Sequence, residues 1–165
     1  MANAIVMDLR AKSDAAWANL TRQLQGMEPY MDRSDAPGEW TTRQVLSHLL
    51  FEPGWNPVDF LKKFSTTDLP LGEIIPGQTN VTPERQKMTL RQFLDALGGQ
   101  RREVFAYLEG LSEADLQGRK ARIPFLKEFL GTDEIALAMY AGLLFDVHWN
   151  DHAGQLAKIR KAVGP

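Results

Sequence analysis

The chain has 165 residues, of which 44% are hydrophobic and 24% charged, with a net charge of −2 and a pI of about 5.9. These values predict one soluble globular domain over residues 1–165 and argue against a nucleic-acid partner, since binding by phosphate neutralisation requires an excess of basic residues. The absence of cysteine excludes disulfides and thiolate metal sites, so any metal ion must be held by nitrogen and oxygen ligands.

The first half of the chain predicts two main helices. Apolar residues recur at three-to-four spacing over residues 4–26, which is typical of an amphipathic helix. Thr41 and Gln44 then have the spacing of a capping box and indicate the start of a second helix. Pro53 and Gly54 are expected to stop or kink that helix.

A short helix and a long connection follow. Asn56 is suited to the N-cap of the short helix, and Pro57 to its first position. Residues 65–88 contain three prolines and two glycines and predict an irregular segment. Connections of this length are unusual in compact domains and often functional, so we expect a crossover running along a helical bundle.

The second half predicts two more main helices. Thr89 and Gln92 form a second capping-box pattern, which begins the third main helix. Residues 118–131 give no clear pattern. Thr132 has the chemistry of an N-cap and predicts a last helix running to about Val163.

Four main helices, one long connection and no predicted strand favour an all-α four-helix bundle, with the long connection between main helices two and three. No repeat or low-complexity tract divides the sequence. We therefore expect no second domain.

The expected cellular location rests on the lack of a signal-peptide pattern and of a membrane-spanning apolar stretch in the sequence. The first residues lack the basic leader of a signal peptide, and Asp8 and Arg10 interrupt their apolar run. The longest apolar stretch, residues 135–145, is too short to span a bilayer. These features predict a cytoplasmic protein without a membrane partner.

His148 and His152 stand four positions apart on the predicted last helix, so both side chains lie on one face. Two imidazoles so placed can converge on one ion, as in helical zinc sites. Their stripe is otherwise apolar, so the histidines are expected to point inward. The alternative is a pair of histidines that packs in the core with ordinary hydrogen-bond partners.

His48, the third histidine, lies on the second predicted helix and is also expected to face the core. Three neutral histidines around one core need many hydrogen-bond partners, whereas one divalent ion satisfies a nitrogen from each. Residue chemistry therefore favours a metal site formed by His48, His148 and His152. Three protein ligands with one open position are the layout of a catalytic zinc site.

The sequence resembles the DinB/YfiT-like superfamily of metal-dependent enzymes. The motif "WTTRQVLSHLL" on the second helix and "HWNDHAGQLAKIR" on the last carry the resemblance. It implies an up-down-down-up bundle, a divalent metal held by His48, His148 and His152, and frequent homodimers. Pro53-Gly54 and residues 65–88 depart from the pattern.

Two further residues are candidates at such a site. Glu52 is expected one turn after His48 on the same face, as a base or fourth ligand; a solvated carboxylate at a helix end is the slightly favoured alternative. Gln155 shares the histidine stripe and could orient a ligand or substrate, or simply hydrogen-bond across the bundle. Trp40, Trp55 and Trp149 could line a substrate cavity or pack in the core.

These residues lead to two classes of function. The first is an enzyme acting on a small molecule, with zinc (or nickel or iron) activating water for hydrolysis, or binding a low-molecular-weight thiol for transfer. The second is a non-catalytic module that the metal stabilises and that dimerises. A bundle without any ion is a third possibility.

Overall fold

The computed structural model describes residues 3–165, most of which are helical. The eight α-helices are α1 (Ala4–Leu24), α2 (Thr42–Leu49), α3 (Pro57–Lys63), α4 (Leu90–Leu108), α5 (Glu113–Gly118), α6 (Lys127–Leu130), α7 (Leu137–Gly142) and α8 (His148–Val163). A π-helical segment, Leu143–Val147, joins α7 to α8. Short 3₁₀ turns occupy Glu28–Tyr30, Arg85–Lys87 and Pro124–Leu126.

Side-chain caps begin most of the longer helices where the sequence predicts them. Thr41 and Thr89 each complete a capping box with a glutamine three residues on. Asn56 accepts a hydrogen bond from the Val58 amide at the start of α3. Each of these caps satisfies backbone N–H groups that have no partner within the helix.

The main helices pack around one hydrophobic core. α1 lies against α7, the π-helical segment and α8, while α2 contacts both α8 and α4. Fully buried side chains from all the main helices fill the centre; they include Leu20, Leu46, Phe93, Phe105 and Trp149. The expected bundle of four main helices is therefore present. The up-down-down-up order and the single domain stay predictions.

The prediction of no strand is wrong for residues 118–136. Strands β1 (Lys120–Arg122) and β2 (Glu134–Ala136) pair antiparallel, with Ala121 opposite Ile135. Ala121 and Ile135 are the buried residues of the two strands, so the hairpin turns one apolar face to the core. Thr132 does not cap the last helix, because its hydroxyl accepts a hydrogen bond from the Glu134 amide.

The long connection between α3 and α4 runs alongside the β1–β2 hairpin before it reaches α4. Ser65 forms a backbone bridge with Lys120, and Leu71 forms one with Arg122. These bridges give the connection backbone partners that its irregular sequence does not supply locally. The predicted long connection between the second and third main helices is confirmed.

Within residues 3–165, no helix combines the length and the apolar character needed to cross a lipid bilayer.

Candidate metal centre

The three histidines meet between α2 and α8. One ring nitrogen of His48, one of His148 and one of His152 all lie within 4.8 Å of each other. The Nε2 atoms of His48 and His148 are 3.0 Å apart. All three side chains are half-buried. The structure thus brings together the three residues that the sequence analysis selects, while their role as metal ligands stays a prediction.

Hydrogen bonds fix which nitrogen of two rings is free. The Nδ1 atom of His48 lies 2.6 Å from the carbonyl oxygen of Gln78. Because a carbonyl oxygen only accepts, His48 Nδ1 carries the proton and its Nε2 keeps the lone pair when the ring is neutral. The Nδ1 atom of His152 lies 2.8 Å from Oε1 of Gln155, in the same arrangement.

Burial favours the neutral form of His48 and His148. It lowers the pKa of His48 below its usual value and that of His148 to about 3, with the neighbouring histidines as smaller causes. No carboxylate of the described residues belongs to the group. At neutral pH the His48 and His148 rings are therefore uncharged, and their Nε2 atoms share at most one proton across the 3.0 Å between them.

This donor set fits a divalent cation. Zinc–nitrogen bonds of about 2.0–2.1 Å in a tetrahedral shell place neighbouring nitrogens about 3.3 Å apart. The 3.0 Å between His48 and His148 is within a few tenths of an ångström of that spacing. Three nitrogen ligands also leave one tetrahedral position open.

Gln155 lies where the helical stripe predicts. Its Oε1 accepts the hydrogen bond from His152 and so holds the orientation of that ring. Such a contact is typical of the groups that support metal-binding histidines. The contact is to the histidine, and a role in binding substrate stays a prediction.

Glu52 does not lie on the helical face expected for it. Helix α2 ends at Leu49, and Phe51 takes a left-handed conformation with φ 64°. The chain therefore leaves the helix before it reaches Glu52, which is exposed. Its expected position is wrong, and no described contact supports its role as base or fourth ligand.

The sequence analysis misses Arg85, which joins the long connection to the end of α2. Its Nη1 atom lies 2.6–3.2 Å from the carbonyl oxygens of Ser47, Phe51 and Asn80. Among the described residues, Phe51 and Asn80 are the two non-glycine residues with positive φ, a conformation that costs roughly 1–3 kcal/mol. Arg85 thus stabilises two strained positions close to His48.

Gln78 is also missed, since it acts through its backbone carbonyl, which every residue type carries. The signal that points to both residues is the length of the irregular connection itself. A long structured loop of this kind often carries function.

Aromatic rings flank the cluster. Trp40 lies parallel to His152 with ring centroids 6.2 Å apart, and Phe51 stacks on His148 at 5.8 Å. Trp149 is the third tryptophan that the sequence suggests for the lining of a substrate cavity. It instead packs in the core, where it is 1% exposed. Flanking rings limit the approach of water to the histidines.

Comparison with known proteins identifies the fold. No family model matches the sequence, and neither does any curated protein. Among solved structures, YfiT from Bacillus subtilis matches with a TM-score of 0.66 and 20% identity, over 96% of this chain and 86% of that one. YfiT is described as a probable metal-dependent hydrolase with an unusual four-helix bundle topology. The chain therefore has the YfiT fold, which confirms the four-helix bundle that the resemblance to the DinB/YfiT-like proteins implies, while the up-down-down-up order stays a prediction.

Proposed function

We propose that this protein is a metal-dependent hydrolase of small molecules, in which His48, His148 and His152 bind one divalent ion. The observation that carries the proposal is the convergence of three half-buried imidazoles without an acidic partner. Zinc is the proposed metal, because nitrogen ligands with one open position are typical of catalytic zinc sites. Nickel and iron accept the same donors.

The residues around the histidines would prepare the site for such an ion. When bound, the ion supplies Lewis acidity and activates water near neutral pH. The Gln78 carbonyl and the Gln155 side chain each accept a ring N–H and so aim the opposite nitrogen inward. Trp40 and Phe51 cover two sides of the cluster. Because no carboxylate belongs to the group, we expect solvent to carry protons to and from the site.

The description of YfiT as a probable metal-dependent hydrolase supports hydrolysis. Transfer involving a small thiol uses the same open position and is the alternative activity, with the thiol coming from solution because the chain has no cysteine. Zinc would hold the thiol as its thiolate.

Metal content tests the site directly. We expect one ion per chain in purified protein, and loss of the ion in His48→Ala, His148→Ala and His152→Ala. The matched control is Asp151→Ala, an exposed position on α8, the helix that carries His148 and His152. Equal metal content in all five proteins would overturn the proposal.

Turnover tests the chemistry. Ester and amide substrates should be cleaved by metal-loaded protein and not after chelation, and an electrophile supplied with a thiol tests the transfer alternative. Bound metal without metal-dependent turnover would instead support the non-catalytic, metal-stabilised module.

We also infer a homodimer, on the basis of the resemblance. An open groove between the start of α1 and α7, lined by apolar residues that include Ile5, Leu9 and Met139, provides a surface for a second copy. Light scattering should then give twice the 18.6 kDa of one chain. The cytoplasmic location and the lack of a nucleic-acid partner stay predictions.

A further inference from the structure

A second cavity, of about 280 Å³, lies apart from the histidines, between α3, residues 70–74 and α7. Trp55, Phe60 and Ile123 form apolar parts of its wall. Phe51 separates it from the cluster, since the Phe51 ring contacts His148 on one side and Trp55 on the other, at 5.8 and 4.9 Å. The volume is close to the lower end of ligand pockets and suits a molecule the size of one amino acid.

Tyr140 forms the polar part of the wall. Its ring packs edge-on against Phe60 at 5.4 Å, and the residue is only 8% exposed. Its hydroxyl makes no hydrogen bond with the described residues and is not one of their fully enclosed unpaired polar atoms, so it remains accessible to a ligand or to solvent. Burial raises the pKa of Tyr140, so the hydroxyl stays a neutral donor. The hydroxyl can therefore donate a hydrogen bond to a molecule in the cavity.

The rim carries one charge of each sign. Lys63 and Glu73 both line the cavity, and neither forms an ion pair with another described residue. A purely anionic molecule would be attracted by Lys63 and repelled by Glu73, and a purely cationic one would meet the reverse. A molecule with both charges can use both residues.

We propose that this cavity binds a small zwitterion of the amino-acid class, with an apolar side chain between Trp55 and Phe60 and its polar atoms toward Tyr140, Lys63 and Glu73. The binding needs none of the three histidines, so the proposal is independent of the metal.

Titration of the whole protein with L-phenylalanine tests this site, with the Trp55 indole N–H signal followed by ¹⁵N NMR and assigned from Trp55→Phe. We expect L-phenylalanine to bind about tenfold more tightly than either 3-phenylpropionate or 2-phenylethylamine, each of which lacks one charge. Equal affinity for the three compounds, or no change in the Trp55 signal, would overturn the proposal.

Variants locate the contacts. Tyr140→Phe removes only the hydroxyl and should weaken binding about tenfold, whereas Tyr107→Phe, a tyrosine outside the cavity, should leave it unchanged. Glu73→Gln should bring 3-phenylpropionate close to L-phenylalanine in affinity. Binding should persist in His48→Ala, because the cavity uses none of the three histidines. A negative result for the proposed metal site would therefore not affect the binding measured here. Unchanged affinity in Tyr140→Phe, or loss of binding in His48→Ala, would refute the separate site.

Discussion

Two polar clusters lie inside the bundle, and they differ in how their hydrogen bonds and charges are balanced. At α1 and α4, the Nε atom of Arg101 donates to the buried hydroxyl of Ser13 at 2.6 Å, and the same guanidinium pairs with Asp14. At α2 and α8, two imidazole nitrogens, those of His48 and His148, face each other with no acid to balance a shared proton.

The Ser13–Arg101 cluster has all its hydrogen-bond and charge partners within the chain, whereas the histidine cluster does not. The Ser13 hydroxyl accepts a hydrogen bond from Arg101, and Asp14 supplies the counter-charge for that guanidinium, so these residues contribute to the fold alone. His48 and His152 each use their outer nitrogen in a hydrogen bond, and their inner nitrogens converge with one of His148, where no carboxylate or cation completes the group. A polar group that the fold leaves unsatisfied is therefore a better guide to function here than a polar group that is merely buried.

The largest expected difference between the clusters is in metal binding. His148→Ala removes one of three ligands and should lower zinc affinity more than the 10- to 100-fold typical of the groups that only support a ligand. Arg101→Met should leave zinc affinity unchanged. Competition with a chromogenic chelator measures both, and a similar loss in the two variants would remove the contrast.

Acid should destabilise the metal-free protein through the histidine cluster. Burial lowers the pKa of His148 from 6.5 to about 3, so the unfolded state binds more protons between these pH values. Stability should then fall as the pH drops through this window, by on the order of 3 kcal/mol at pH 4. Urea unfolding with a chelator present measures the slope, and His148→Gln should flatten it; parallel slopes would contradict the prediction.

Gln155→Leu should weaken zinc binding by about 10- to 100-fold while leaving the three ligands in place. The change removes the acceptor that orients His152. Gln155→Glu retains an acceptor and should restore most of the affinity. Equal affinities for leucine and glutamine at this position would show that the hydrogen bond has no role.

Arg85→Met should lower zinc affinity by about tenfold, because the loop that carries Gln78 would lose its attachment to the end of α2. Arg91→Met, at an exposed position on α4, is the control. The His48 ring signals in the NMR spectrum should broaden in Arg85→Met alone. An unchanged affinity would assign Arg85 to stability only.

The smallest effect is expected at the complete cluster. Arg101→Met should lower the free energy of unfolding by about 1–2 kcal/mol, since the buried Ser13 hydroxyl loses its partner. Thermal unfolding measures this loss. Ser13→Ala together with Arg101→Met should be less destabilising than the sum of the single changes.

Local chemistry explains what the sequence predicts well. Thr41, Asn56 and Thr89 cap helices through bonds that span two or three residues, so their patterns are readable from short stretches. The two histidines on α8 are likewise positioned by helical spacing. His48 joins them because its own helix packs against α8.

Non-local contacts explain what the sequence does not predict. Strands β1 and β2 depend on pairing with each other and with Ser65 and Leu71, which local propensity does not reveal. The expected position of Glu52 fails because α2 ends at a phenylalanine in the left-handed conformation, where glycine is the usual residue. The contacts of Gln78 and Arg85 use backbone oxygens and leave no pattern in side-chain type.

The π-helical segment Leu143–Val147 accommodates one extra residue before the histidine pair. A π turn holds one residue more than an α turn, and one residue in a regular helix corresponds to a rotation of roughly 100°. Inserting or deleting a residue in a regular stretch of the same helix would therefore turn His148 and His152 away from His48. Because the wide turn takes up its extra residue within a single turn, the two imidazoles keep the direction that a regular helix would give them.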